Sequence, residues 1–326
     1  MTIRRAFLCA MLGALAQVSL AAPAFAQAYP NKPIRMVVPF AAGGPTDNVA
    51  RLVATKLSEK WGQQIYIENV VGASGNIGTR AVARSAPDGY TILVTTSGFV
   101  VNPSLYSPKP YDAITEFAPI TIPAQAPNVL IVHPSVEAKT VKEFVALVKA
   151  NPGKYAFASA GVGQTGHLAG EFLNLKYGLD MTHVPFNGGG PIMNSMMGGH
   201  TLIAFLSLPS AAAYIQSGKV RALMVTTTKR SPAVPDVPTA REAGIPEQET
   251  VFFQGILAPA GTPKEIINKW HADVVEIIAS PDVKKKLEAS SYDVNANTPA
   301  EFADLIKTEV GQWAKVIEET KIPKVQ

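Results

Sequence analysis

The chain has 326 residues, with 29 Lys and Arg against 25 Asp and Glu and a formal charge of +4. So small an excess is no nucleic-acid footprint, and Lys284-Lys285-Lys286 reads as a solvated helix face. Hydrophobic residues at 47% supply a large core, while a single cysteine, Cys9, excludes an internal disulfide and a thiolate metal site.

Arg4 and Arg5 precede an apolar stretch from Ala6 to about Leu20, and Ala24-Phe25-Ala26 supplies small residues for cleavage. This pattern predicts a signal peptide over 1–26, cut between Ala26 and Gln27, by the general export route or, given R-R-A-F-L (4–8), the twin-arginine one. No second apolar run approaches 18 residues, so the exported protein is expected to be soluble. Its 300 residues exceed one ordinary domain and predict two lobes.

Short β-branched runs then alternate with helical patterns. Strands are expected over 34–40, 65–69, 90–96, 129–133, 155–160, 201–206, 220–227 and 251–258. A helix carrying Val49, Leu52, Val53 and Leu57 ends at Gly62, and an Ala-rich helix spans about 77–84. Alternation of this kind predicts an α/β fold with mostly parallel sheets. Thr140, Thr262 and Thr298 each stand three residues before a Glu, marking three capped helix starts. The Pro-rich stretch 231–238 reads as an ordered surface loop.

One phrase occurs twice: V-P-F-A-A-G-G-P at 38–45 and V-P-F-N-G-G-G-P at 184–191. In each copy a strand ends, glycines turn the backbone, and proline opens a helix. The arrangement aims free N–H groups of a helix N-terminus into open space, a site for carboxylate or phosphate. The residues so marked are Phe40, Ala41, Ala42, Gly43 and Gly44 in one copy, and Phe186, Asn187, Gly188, Gly189 and Gly190 in the other. Asp47, one turn into the first helix, is expected to cap and orient its loop.

A third loop, S-A-G-V-G-Q-T-G-H (159–167), contains G-x-G-x-x-G between a strand and a helix. It matches the dinucleotide fingerprint literally, but Asp180, the next acidic residue, precedes a strand instead of ending one. Ser159, Gln164 and Thr165 are read instead as donors at another helix N-terminus, with His167 an orienting residue. G-A-S-G-N-I-G (72–78) is a fourth glycine-rich turn. His133, His167, His183, His200 and His271 show no metal spacing, and there is no nucleophile elbow. No metal, cofactor or catalytic group is expected.

With these loops in place the chain resembles a known family. The run 29–47, Y-P-N-K-P-I-R-M-V-V-P-F-A-A-G-G-P-T-D, is similar to the opening of the substrate-binding proteins of tripartite tricarboxylate transporters, the Bordetella uptake gene family. The resemblance continues through A-P-D-G-Y-T-I-L-V (86–94), N-P-S-L-Y (102–106), G-V-G-Q-T-G-H-L-A-G-E (161–171), D-V-P-T-A-R-E-A-G (236–244) and G-I-L-A-P-A-G-T-P (255–263). It implies a two-lobed periplasmic binding protein of type II-like architecture, each lobe a mixed, mostly parallel sheet flanked by helices. Two crossing strands join the lobes, and an organic carboxylate lies between loops 40–47 and 186–191, partly through water. It also implies delivery to a two-subunit membrane permease.

Two departures bear on the ligand. Leu206, in A-F-L-S-L-P-S (204–210), stands where many relatives carry an acidic residue, and Phe99 stands in S-G-F-V-V (97–101), where many carry His or a small polar residue. Both tilt the expected ligand toward an aromatic mono- or dicarboxylate such as terephthalate, with aliphatic di- and tricarboxylates close behind. Thr96, Ser97, Ser159 and Thr165 are expected to orient it. The lobes are expected to comprise 27–126 with 251–326, and 127–250, in a monomer that closes by hinging near 125–128 and 249–252. A sensory partner of a receptor kinase and a periplasmic enzyme stand as alternatives.

Overall fold

The computed structural model describes residues 29–320 and 322–326; the expected signal peptide and Cys9 lie outside the described residues. The chain divides into Met1–Asn31, described only from Tyr29, and a main body, Lys32–Gln326.

The main body is built on two groups of strands that share one long strand. β1 (Ile34–Val38) pairs in parallel with β2 (Ile65–Asn69) and β3 (Thr91–Thr96). β9 (Val251–Pro259) then lies antiparallel between β3 and the first part of β4 (Phe117–Val132). The short β10 (Asp293–Val294) pairs β4 at Ala124 and Gln125. In the second group, β5 (Tyr155–Ser159) pairs in parallel with β6 (Met181–Pro185) and β7 (Ile203–Ser207). The last five residues of β4 lie antiparallel to β7, with β8 (Arg221–Val225) on the other flank. The sheets are therefore mixed: parallel at their outer strands, antiparallel where β4 and β9 run through.

β4 changes partner at one point. Pro127 is its last residue paired to β9, opposite Val251, and Asn128 is the first paired to β7, opposite Ser207. Its N-terminal part was not expected as a strand, because Pro119, Pro123 and Pro127 cannot donate to a ladder. The register shifts between Pro119 and Thr121 and again between Thr121 and Ala124 accommodate them as bulges.

Both faces of the second sheet are covered, so its strands read as continuous apolar runs. Leu130, Val132, Ile203 and Phe205 face one core with Phe144 and Phe157. Val129, Ile131, Ala204 and Leu206 face the other, with Ile192 and Met193. The first sheet packs Val37, Leu93 and Leu257 against Phe302 and Ile306. These last two come from the C-terminal helix α10 (Pro299–Thr320), which follows α8 (Lys264–Ala279) and α9 (Pro281–Ala289).

Helix starts and stops follow the sequence closely. α1 (Pro45–Trp61) ends at Gly62, whose φ of 63° lets its N–H reach the Ser58 carbonyl at 3.0 Å. Thr140 accepts the Glu143 N–H ahead of α4 (Val141–Lys149), and Thr298 does the same for Glu301. Thr262 departs from expectation. Its hydroxyl bonds back to the Pro259 carbonyl at 2.7 Å, so α8 starts after Pro263 without that cap. Of the remaining helices, α2 is Asn76–Ala83, α3 Gly98–Leu105, α5 Thr165–Tyr177, α6 Gly189–Met197 and α7 Leu208–Gln216. No helix among the described residues is long and apolar enough to cross a membrane.

Candidate functional site

The two copies of the doubled phrase open on the same cavity, of about 820 Å³. Gly43 and Gly44 line it from one side and Gly188, Gly189 and Gly190 from another. The N-cap residues of four helices border it: Gly44 of α1, Gln164 of α5, Gly188 of α6 and Ser207 of α7. None of the four receives a side-chain cap, so their first-turn amides are left for other partners. Among the described residues no Asp or Glu lines the cavity. Four positive helix ends and no carboxylate make it a receptacle for anions.

The copies fold differently in detail. In the second, the helix begins at Gly189, placing Pro191 at the third helical position, and a φ of 108° at Gly188 turns the chain. The amides of Asn187, Gly188, Gly189 and Gly190 have no protein partner among the described residues. In the first copy the helix starts only at Pro45, and two glycine amides are occupied. Gly43 N–H donates to Asp47 Oδ2 at 2.9 Å, and Gly44 N–H to the Ala41 carbonyl at 3.3 Å. The open donors there are Ala41, Ala42, Thr46 and Asp47, which corrects the expectation that 41–44 all present free amides.

Asp47 does not line the cavity. It is buried beneath the loop, where its carboxylate accepts from Gly43 N–H, Asn69 Nδ2 at 2.9 Å and Arg51 Nε at 2.7 Å. Burial opposes its charge, but those hydrogen bonds outweigh burial and hold its carboxyl below the ordinary value. It is a loop-orienting residue, and its charge is neutralised locally.

The expected hydroxyls divide. Thr96 and Thr165 line the cavity, but each is hydrogen-bonded within the protein: Thr96 Oγ1 to Gln164 Oε1 at 2.9 Å, and Thr165 Oγ1 with the Asn128 amide. Ser159 lies away from it, bonding the Gly161 carbonyl at 3.0 Å and His183 Nε2 at 2.7 Å. The Ser97 hydroxyl is buried without a hydrogen-bond partner, and Ser97 does not line the cavity. Asn128, Ser207 and Ser210 line it instead, the two serine hydroxyls 3.3 Å apart. Ser207 and Ser210 stand within the quoted run 204–210, but only the packing of α7 against the loop of α6 brings them to the site.

Little aromatic surface faces the cavity. Phe99 is in the core, stacked on Tyr111 at 5.3 Å and edge-on to Phe117 at 5.0 Å, and Phe253 packs on Phe302. Phe186 is half-buried against the second core. Phe40, Phe252, Leu206 and Tyr214 remain to supply apolar surface.

The third glycine loop binds the protein itself. Gln164 Nε2 donates to the Ser74 carbonyl at 3.4 Å, in the fourth glycine turn, and Asn102 Nδ2 donates to the same carbonyl. Gly163 has φ +81°, and a Cβ there would lie 2.2 Å from Asn102 Oδ1. One side of the loop is thus fitted against α3 and the fourth turn, while Gln164, Thr165 and Gly166 border the cavity. His167, buried, accepts the Gly163 N–H on Nδ1 at 3.3 Å, which puts its own proton on Nε2. Its ring lies against His183, the centroids 4.0 Å apart and the planes tilted by 32°. Among the described residues no group of His, Cys, Asp and Glu is disposed to hold a metal.

Two groups of strands joined through β4, with an anion receptacle at the join, define a solute-binding protein. The chain belongs to the tripartite tricarboxylate transporter family receptor, whose family model matches residues 49–322. It is similar to the periplasmic binding protein BugD, 36% identical with a TM-score of 0.85 over 91% of this chain and 100% of that one. Rpa4515 of R. palustris, solved with adipate, is 32% identical with a TM-score of 0.86, covering 91% and 100%. MatC of Rhodopseudomonas palustris, solved with bound malate, is 33% identical with a TM-score of 0.84, covering 89% and 100%. These neighbours are binding proteins, and membership implies a small-molecule ligand, a tripartite transporter as partner and a periplasmic location.

Proposed function

We propose that this protein captures an organic carboxylate between its two glycine loops and delivers it to a two-subunit membrane permease, without a chemical step of its own. The observation that carries this reading is the convergence of four uncapped helix N-termini on one cavity free of Asp and Glu. One carboxylate accepts from the amides of 187–190, with Ala41, Ala42 and Thr46 facing it from the first loop. Phe40, Leu206 and Phe252 cover an apolar body. With Phe99 and Phe253 in the core, that body is as well matched by an aliphatic diacid, such as the adipate held by Rpa4515, as by terephthalate.

In this reading residues 1–26 export the chain, and 27–126 with 251–326 form one lobe and 127–250 the other. The lobes close as a monomer by hinging near 125–128 and 249–252, where β4 changes partners and β9 begins. Protein stripped of ligand by unfolding and refolding, then warmed with a panel of aromatic and aliphatic carboxylates, tests it. At a hundredfold excess over the dissociation constant the true ligand adds about 2.7 kcal/mol, raising the melting temperature by several degrees. A panel with no shift for any carboxylate contradicts the reading.

A further inference from the structure

The cavity does not stop at the glycine loops. It follows α1 from Gly44 to Leu52, about 12 Å of helix rise, so it is longer than a single carboxylate needs. The last turn of α9 borders it as well. Lys56 of α1 holds Asp282 at 3.2 Å, which seats the first turn of α9 beside α1, and one turn later Lys286 and Leu287 line the cavity. Among the described residues Lys286 is the one cationic residue lining it.

The neighbours of Lys286 make its position informative. Lys284 faces Glu288 at 3.9 Å, so it already has a counter-charge on its own helix. The Lys286 ammonium has no ion pair or hydrogen bond among the described residues, and none of the described residues lining the cavity offers it a carboxylate. A lysine in the last turn of a helix is favoured by the helix dipole alone. That preference accounts for a basic residue near the end of α9, but not for an unpaired one on the wall of an anion receptacle.

Building on the functional reading above, we infer that Lys286 is a specificity-determining residue that meets a second anionic group at the ligand's far end. One carboxylate occupies the helix N-termini, the apolar body lies along Leu52 and Phe252, and the distal charge reaches the ammonium. A point charge on a flexible stem suits diacids of somewhat different length, because the stem adjusts while the glycine loops stay fixed. The lysine run that the sequence marks as a solvated face therefore has one member with a task.

Calorimetric titration of the purified protein with adipate against hexanoate, and terephthalate against benzoate, tests this on the parent chain, Lys286→Met and Lys286→Arg. The parent should prefer the diacid in at least one pair, on the order of tenfold, as expected for one partly screened charge contact. Lys286→Met should lose that preference while keeping its affinity for the monoacid, Lys286→Arg should restore most of it, and added salt should narrow it only where the charge is present. Lys286 is exposed, so the methionine variant should melt close to the parent. A diacid preference that survives in Lys286→Met, or a parent with none, overturns the assignment while leaving carboxylate capture standing. Failure of all four acids to bind also overturns it, and the wider thermal-shift panel then decides whether carboxylate capture falls with it.

Discussion

His167 and His183 are held neutral by their surroundings. Burial lowers His167 to about 4, and burial together with the adjoining His167 lowers His183 to about 3. Glu171 is the nearest carboxylate to His167, at 3.9 Å, too far for a hydrogen bond that would favour the charged ring. The unfolded chain protonates both imidazoles near pH 6.5, whereas the fold resists until about 4. Their contribution is therefore complete above pH 6.5 and declines as the pH falls toward 4, by up to about 1.4 kcal/mol per pH unit for each ring. Unfolding by urea between pH 7 and 4 should show this decline, and His183→Gln should make it shallower. An unchanged slope in that variant would mean that His183 is charged in the fold.

At the scale of single elements, the two glycine loops differ in what they tolerate. A Cβ at Gly189 would lie 2.2 Å from Ser210 Oγ, so substitution there disturbs the packing of α6 on α7 as well as the site. Gly190 lines the same cavity, yet a Cβ at that position meets nothing within 4 Å. Gly190→Val should therefore lower affinity for the ligand at least tenfold while shifting the melting temperature only slightly; β-branching in a first helical turn costs about 0.5 kcal/mol. Unaltered affinity in a folded Gly190→Val protein would remove the second loop from the site.

These loops were legible because glycine and proline mark backbone conformation directly, wherever the rest of the chain goes. Hydroxyls are not legible in that way. Thr96 and Ser159 were expected at the ligand, but Gln164 and His183, brought in by tertiary packing, took their hydrogen bonds. Phe99 reads the same in a cavity as in a core until Tyr111 and Phe117 are placed around it. The prolines of β4 concealed half of the longest strand, since only the bulged register makes them acceptable.

Across the whole molecule, Asn128 joins the scales. It is the residue where β4 leaves one sheet for the other, its N–H is held by Thr226 Oγ1 at 2.9 Å, and its amide grips Thr165 at the start of α5. It lines the cavity at the change of sheet, so closure of the lobes and capture of the ligand are coupled through adjacent backbone. The resemblance implied crossing strands and a hinge near 125–128, but not the place of Asn128 or of Lys286 on the cavity wall, because both enter the site only when β4 crosses and α9 folds back on α1.

The most direct test of the account is to follow the backbone amides themselves. ¹⁵N-labelled protein titrated with the carboxylate that gives the largest thermal shift should show Asn187, Gly188, Gly189 and Gly190 moving together with Ala41, Ala42 and Thr46. All should saturate at one ligand concentration, with Gly43 and Gly44, already bonded to Asp47 and Ala41, moving less. Movement confined to one loop, or a bound carboxylate that moves neither, would contradict capture between the two copies of the phrase.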